Sequence, residues 1–122
     1  MTGHPMSRYA NAARIARDEA RARRHALIVT RTAYDATRVM RALQDALRPR
    51  DGEHPKLMHS NGLWGASSDA WGSGRITVRV QGVGLRGITA DAVLIERTCQ
   101  RSTVADALLI VATSHARLIG EW

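Results

Sequence analysis

The segment GVGLRGITADAVLIE (82–96) offers two chemistries that exclude each other. Gly82, Gly84 and Gly87 spell G-x-G-x-x-G directly after the alternating run RITVRV (75–80). Glycines so spaced let the backbone approach a dinucleotide pyrophosphate at a helix N-terminus. Read instead from Arg86, a short loop feeds a buried strand, AVLI, whose tip presents the carboxylate of Glu96. The dinucleotide parse needs a helix opening near residue 87 and an acid about 20 residues later. Asp106 has that offset but falls inside the helical pattern of 103–115, and AVLI suits a strand better than a crossover helix. The strand reading is preferred, and dinucleotide binding through GVGLRG stands as the alternative.

A second constellation is cationic. In SRYANAARIARDEARARR (7–24), Arg14, Arg17, Arg21 and Arg24 recur at i, i+3, i+7 and i+10, along one face of a helix. Residues 1–50 hold eleven arginines against Asp18, Glu19, Asp35 and Asp45, whereas residues 51–122 are balanced, so the net charge of +7 belongs to the first half. That asymmetry suits a surface facing nucleic acid, with phosphate contacts that are non-specific and salt-sensitive. The competing readings are a solvated face partly neutralised by Asp18 and Glu19, and contacts with acidic patches on other chains or other copies of this one. No helix–turn–helix or RNP-type aromatic strand supports sequence-specific readout.

Other chemistry is weakly represented. His4, His25, His54, His59 and His115 lack metal-ligand spacing with one another or with Cys99. The loop holding His54 and His59 with Asp51 and Glu53 is at most a weak adventitious site. The single cysteine excludes an internal disulfide and reads as an inert buried thiol. WGASSDAWG (64–72) is a loop rather than a nucleophile elbow, and its tryptophans read as anchors before they read as a stacking platform. No catalytic residue, metal or cofactor is assigned.

The elements that must position these groups follow from periodicity. Ser7 can cap the first helix, HALIVT (25–30) is an apolar run of buried-strand character, and Thr32 or Asp35 opens a helix with Ala36, Val39, Met40, Leu43 and Leu47 on one face. Residues 49–74 are turn-rich, with a short strand at KLMHS, and RITVRV is expected to fold back on VGLR as a hairpin over 75–86. From Ser102 or Thr103, Val104, Ala107, Leu108, Val111, His115 and Leu118 repeat at helical spacing; where that last helix stops, and whether ARLIG (116–120) is a strand, stay open. The expectation is a single α/β domain over 1–122, with a small, mostly parallel sheet flanked by helices. No apolar run reaches the roughly 18 residues of a membrane span and no secretory leader is evident, so the expected setting is the cytoplasm.

Helix–ALIVT–helix followed by Arg86-Gly87-Ile88-Thr89-Ala90-Asp91-Ala92-Val93-Leu94-Ile95-Glu96 resembles the ATPase domain of phage large terminase subunits over roughly residues 3–120. In that family a helix leads from the phosphate-binding loop to a strand of type LIVT, and an RG-x-x-AD-x-V-x-I-D-E segment supplies the acidic Walker B pair. The place of the phosphate loop is taken by Gly3-His4-Pro5-Met6-Ser7-Arg8-Tyr9, which lacks the second glycine and the lysine of G-x-x-x-x-G-K-[ST]. Glu96 stands for the metal-binding acid, and Arg97, a permanent cation, occupies the position of the catalytic carboxylate. The resemblance thus implies a P-loop NTPase-like remnant without hydrolytic activity. Ser7, Arg8, Arg86, Glu96 and Arg97 would line a vestigial cleft, and Arg14, Arg17, Arg21 and Arg24 would contact DNA. Partners would be DNA, packaging or virion proteins, or further copies of the chain, in the host cytoplasm or the virion; the rival is a structural assembly protein of a viral particle.

Overall fold

A computed structural model of the chain describes residues 7–48, 52–60, 63–82, 85 and 87–122. The elements are α1 (Arg8–Arg21), β1 (His25–Thr30), α2 (Ala33–Ala46), β2 (Lys56–Ser60), β3 (Leu63–Ser67), a 3-10 turn (Asp69–Trp71), β4 (Arg75–Val80), β5 (Ala92–Ile95), α3 (Arg101–Ser114) and β6 (Arg117–Glu121). The six strands form one mixed sheet in the order β2-β3-β4-β1-β5-β6. β4, β1, β5 and β6 run parallel, while β2 and β3 are antiparallel to each other and β3 to β4. The fold is therefore α/β with a sheet only partly parallel.

β1 is the central strand because all six of its residues can be buried. Ala26 and Ile28 face one layer with Ile76, Val78 and Leu94, under α1 and α2. Leu27 and Val29 face the other with Val93 and Ile95, under α3. A continuous apolar run is what a strand covered on both faces requires. Burying each of the larger side chains contributes about 1.5–3 kcal/mol.

Ser7 caps α1 by accepting from the Ala10 amide at 3.1 Å. The helix buries Ala12, Ala13, Ala16 and Ala20, and side chains this small let it lie close on β1 and α2. Thr32 caps α2 through the Asp35 amide at 3.0 Å, and Ala36, Val39, Met40 and Leu43 supply its apolar stripe. Each helix is joined to β1 by a few residues and reverses the strand direction, so α1 and α2 run parallel to each other. Their contacts agree: Tyr9 meets Asp35 early in both helices, and Arg17 approaches the Ala46 carbonyl late in both.

Two expectations need correction, and the open end of the last helix is settled. The antiparallel partner of RITVRV is the preceding strand β3, and β1 occupies the other edge of β4, so the fold-back is centred on β2–β3–β4 rather than on 75–86. Of the expected partner VGLR, Val83, Gly84 and Arg86 lie outside the described residues. The turn-rich stretch 49–74 holds two strands and the 3-10 turn, because Trp71 and Ala66 give it an anchor in the core. The last helix ends at Ser114, where His115 takes a left-handed conformation (φ 55°), and Leu118 belongs to β6. Its buried positions are Thr103, Ala107 and Ile110, leaving Leu108 and Leu109 exposed. Among the described residues no helix is long and apolar enough to cross a membrane.

Candidate functional site

From β1 the chain leaves towards α2 and the β2–β4 side of the sheet; from β5 it leaves towards α3 and β6. The carboxyl ends of β1 and β5 therefore border a topological switch point, where open α/β sheets bind ligands. In this chain the crevice is filled by its own side chains. Glu96, one residue beyond β5 and 1% exposed, points to the α1/α2 side in phase with Leu94. Its Oε2 accepts from Arg8 Nη1 at 2.7 Å, and its Oε1 accepts from the Arg31 amide at 2.6 Å. Arg8 also donates to the Tyr9 hydroxyl at 2.9 Å, and that hydroxyl donates to Asp35 Oδ1 at 2.6 Å. The Arg8 guanidinium lies over the rings of Tyr9 and Trp122, which themselves meet edge to face.

Asp35 and Glu96 are neighbouring carboxyl groups held in one environment, and their proton affinities move apart. Burial pushes the Glu96 carboxyl up; the Arg31 amide works against this, and the adjoining Asp35 reinforces it. Burial also acts to raise Asp35, but hydrogen bonds from Tyr9, Glu96 and Thr32, with the Arg8 charge, together hold it below the usual carboxylate range. Glu96 is thus the member that takes a proton first.

An intact ATPase of the kind the sequence resembles would hold a magnesium-bound nucleotide at this place, and these residues do not fit one. A guanidinium stands directly against the acid that would hold the metal, and the second carboxylate oxygen is taken by a backbone amide. Arg97 lies on an exposed turn, its amide bonded to the Trp122 carbonyl at 3.1 Å. Of the expected cleft residues, Arg8 and Glu96 come together, Ser7 caps the helix that carries Arg8, Arg97 follows Glu96 on the exposed turn, and Arg86 lies outside the described residues. The dinucleotide alternative needs a helix opening near residue 87; among the described residues the chain instead runs from Gly87 through an irregular segment into β5.

The row of four arginines divides. Arg21 forms a two-pronged pair with Glu53 (3.0 and 3.2 Å), whose carboxylate also accepts from the Trp71 indole at 2.8 Å. Arg24 and Arg117 both pair with the buried Glu19. Arg21 and Arg24 thus tie α1 to the rest of the domain. Arg14 and Arg17 instead line a groove of about 410 Å³ between α1 and α2, faced from α2 by Arg38 and Arg41. Against these four cations the groove wall offers one carboxylate, Asp45. Arg17 also pairs with the exposed Asp18 at 3.0 Å, a screened contact of about 0–1 kcal/mol that leaves the groove's charge in place. Arg38 stands between two aromatic rings, 5.3 Å from that of Tyr9 and 5.7 Å from that of Tyr34. The second helix carried a readable signal for this: Arg38 and Arg41 repeat the i, i+3 spacing of Arg14 and Arg17.

The remaining candidates are structural. Trp71, 1% exposed, anchors its loop, and Trp64 is partly buried against the same core. Asp91 of the RG-x-x-AD segment accepts from the His25 amide at 2.8 Å, joining the starts of β5 and β1. His25 meets Thr77 at 2.6 Å through Nε2. Cys99 is half-buried and burial pushes its thiol up to about 11. Among the described residues no three His, Cys, Asp or Glu converge as metal ligands. No family model matches the chain, and no curated protein or solved structure matches it.

Proposed function

We propose that this chain is a non-catalytic, phage-type DNA-contacting domain, built on the frame of a terminase-like P-loop ATPase and gripping the nucleic-acid backbone non-specifically between α1 and α2. The observation that carries the reading is the groove in which Arg14, Arg17, Arg38 and Arg41 face one another against Asp45 alone. Such a concentration of guanidinium groups raises the local potential and favours phosphate, whose oxygens match their paired donors. The parallel course of α1 and α2 puts both helix N-termini at one end of the groove, adding partial positive charge there. Support for the ATPase frame is the adjacency of β1 to the acid-tipped β5, with the N-terminus of α1 resting on that acid through Arg8. Support for the loss of hydrolysis is that Arg8 stands where a metal would be needed. Packaging or virion proteins would be the further partners, in the host cytoplasm or the particle.

Equilibrium binding of a fluorescent oligonucleotide at low salt tests the reading. R38A/R41A is expected to weaken binding by at least tenfold, at about 1 kcal/mol or more per lost charged contact. R101A, on α3 away from the groove, is expected to leave it unchanged. Equal affinities for the wild type and R38A/R41A would overturn the assignment.

The second reading is a structural protein of a viral particle, and a separate observation favours it. Leu108 and Leu109 of α3 and Leu118 of the edge strand β6 are 46%, 57% and 45% exposed. Apolar side chains beside an open strand edge suit attachment to another chain, including a second copy. Sedimentation of the pure protein across a concentration series, with L109E as comparison, would reveal such self-association.

A further inference from the structure

We infer that the groove between α1 and α2 takes single-stranded rather than duplex nucleic acid, with the backbone along the arginines and a base stacked on Tyr34 at its mouth. This rests on the reading of the groove as a nucleic-acid interface and specifies which form it accepts.

Two features of the molecule lead there. The first is shape. Helices packed side by side, with axes about 8–10 Å apart, interdigitate and leave only a narrow crease along their outer side. The groove of about 410 Å³ is at the small end of ligand pockets, which span about 300–1,000 Å³. A strip of sugar and phosphate enters such a slot, whereas a duplex can only rest on its rim. The cations line both walls as two i, i+3 pairs. Each pair advances about 4.5 Å along its helix, so charges are met from both sides along one strand.

The second is the aromatic mouth. Tyr34 is 66% exposed, the most exposed of the large apolar-bodied side chains described. Burial does not explain it, because it sits in the first turn of α2 with its ring turned to solvent. Arg38 approaches its ring, 5.7 Å from the centroid, and donates to its hydroxyl at 3.1 Å. The same guanidinium meets Tyr9, which lines the groove. An exposed aromatic ring in contact with one of the channel's own arginines is the pairing that single-strand binders use: the channel tracks phosphates and the ring stacks on an unpaired base. In a duplex the bases already stack on each other and offer the ring nothing.

Fluorescence anisotropy on the whole chain tests this, comparing a labelled single strand of about 20 nucleotides with its duplex at one salt concentration. The single strand is expected to bind more tightly. Y34A is expected to weaken single-strand binding roughly five- to fifty-fold while changing duplex binding less than about twofold, and Y34F, which keeps the ring, is expected to behave as wild type. Equal or tighter duplex binding would overturn the inference, as would a Y34A variant indistinguishable from wild type on the single strand; in both cases the polyanion reading of the groove survives. Absence of binding to either form at low salt would remove both.

Discussion

Replacing Arg8 with Met separates the two halves of the Arg8–Glu96 pair unequally, because the partners differ so much in exposure. The Arg8 side chain is 47% exposed and the Glu96 side chain 1%. Removing the guanidinium leaves a buried carboxylate with one amide donor, beside the carboxylate of Asp35. Breaking a buried pair from one side costs about 3–5 kcal/mol; here water can reach the vacated Arg8 position, so a loss of about 2–3 kcal/mol is expected near pH 7. Glu96→Gln is expected to cost less than about 1 kcal/mol, since its carbonyl still accepts from the Arg31 amide and the repulsion with Asp35 disappears. The R8M deficit also depends on pH. Without the cation, Glu96 in the folded protein holds its proton to still higher pH than in the unfolded chain. The stability tied to that proton is therefore present below the unfolded value of 4.5 and lost as pH rises through the folded one. Urea unfolding of wild type, R8M and E96Q at pH 7 and pH 5 measures this: the R8M deficit should shrink at pH 5, and E96Q should show no such recovery. An R8M protein as stable as wild type at pH 7, or a deficit identical at both pH values, would refute the picture of a buried acid neutralised by Arg8.

Three further outcomes are expected. The Cys99 thiol, pushed up to about 11, should react with a disulfide reagent at pH 8 roughly a hundredfold more slowly in the folded chain than in urea, because the thiolate is the reacting form. Burial, then the charges of Arg75 and Arg79, hold His25 below its ordinary 6.5, only partly offset by the Thr89 carbonyl and Asp91. Its contribution to stability is thus complete above pH 6.5 and lost as pH falls through the folded value; urea titrations from pH 8 to 5 should show this slope, flattened in H25Q. Gly74→Ala should cost about 2–4 kcal/mol by thermal unfolding, since its Cβ would lie 2.0 Å from the Ala20 carbonyl oxygen and 2.9 Å from its carbon, and neither is a flexible side-chain atom.

Uniformly apolar strands and polar helix caps were the most legible. HALIVT and AVLI announced themselves as strands covered on both faces, and Ser7 and Thr32 as caps, because those signals are local. The placing of RITVRV was not legible. An alternating strand fits any antiparallel partner, and the choice of β3 over VGLR depends on Trp71 and Ala66 burying the loop, a contact between distant residues. The site divides in the same way. Arg14, Arg17, Arg21 and Arg24 share a helix face, but which of them stay available is decided by carboxylates elsewhere. Glu53 and the buried Glu19 engage Arg21 and Arg24, while α2 brings Arg38 and Arg41 to Arg14 and Arg17. Arg8 and Glu96, read as lining one cleft, meet in an ion pair; Asp35 and Trp122 join them through Tyr9, contacts hidden from the sequence by 26 and 113 residues of intervening chain.

As a phosphate-holding surface, the groove depends on the guanidinium groups of Arg14, Arg17, Arg38 and Arg41 acting together. The most direct measurement is the slope of log Kobs against log[salt] for oligonucleotide binding, in wild type and in R38A/R41A. Four phosphate contacts give a slope of about −3, and two give about half of that. A slope near zero, or one that the double substitution leaves unaltered, would contradict it.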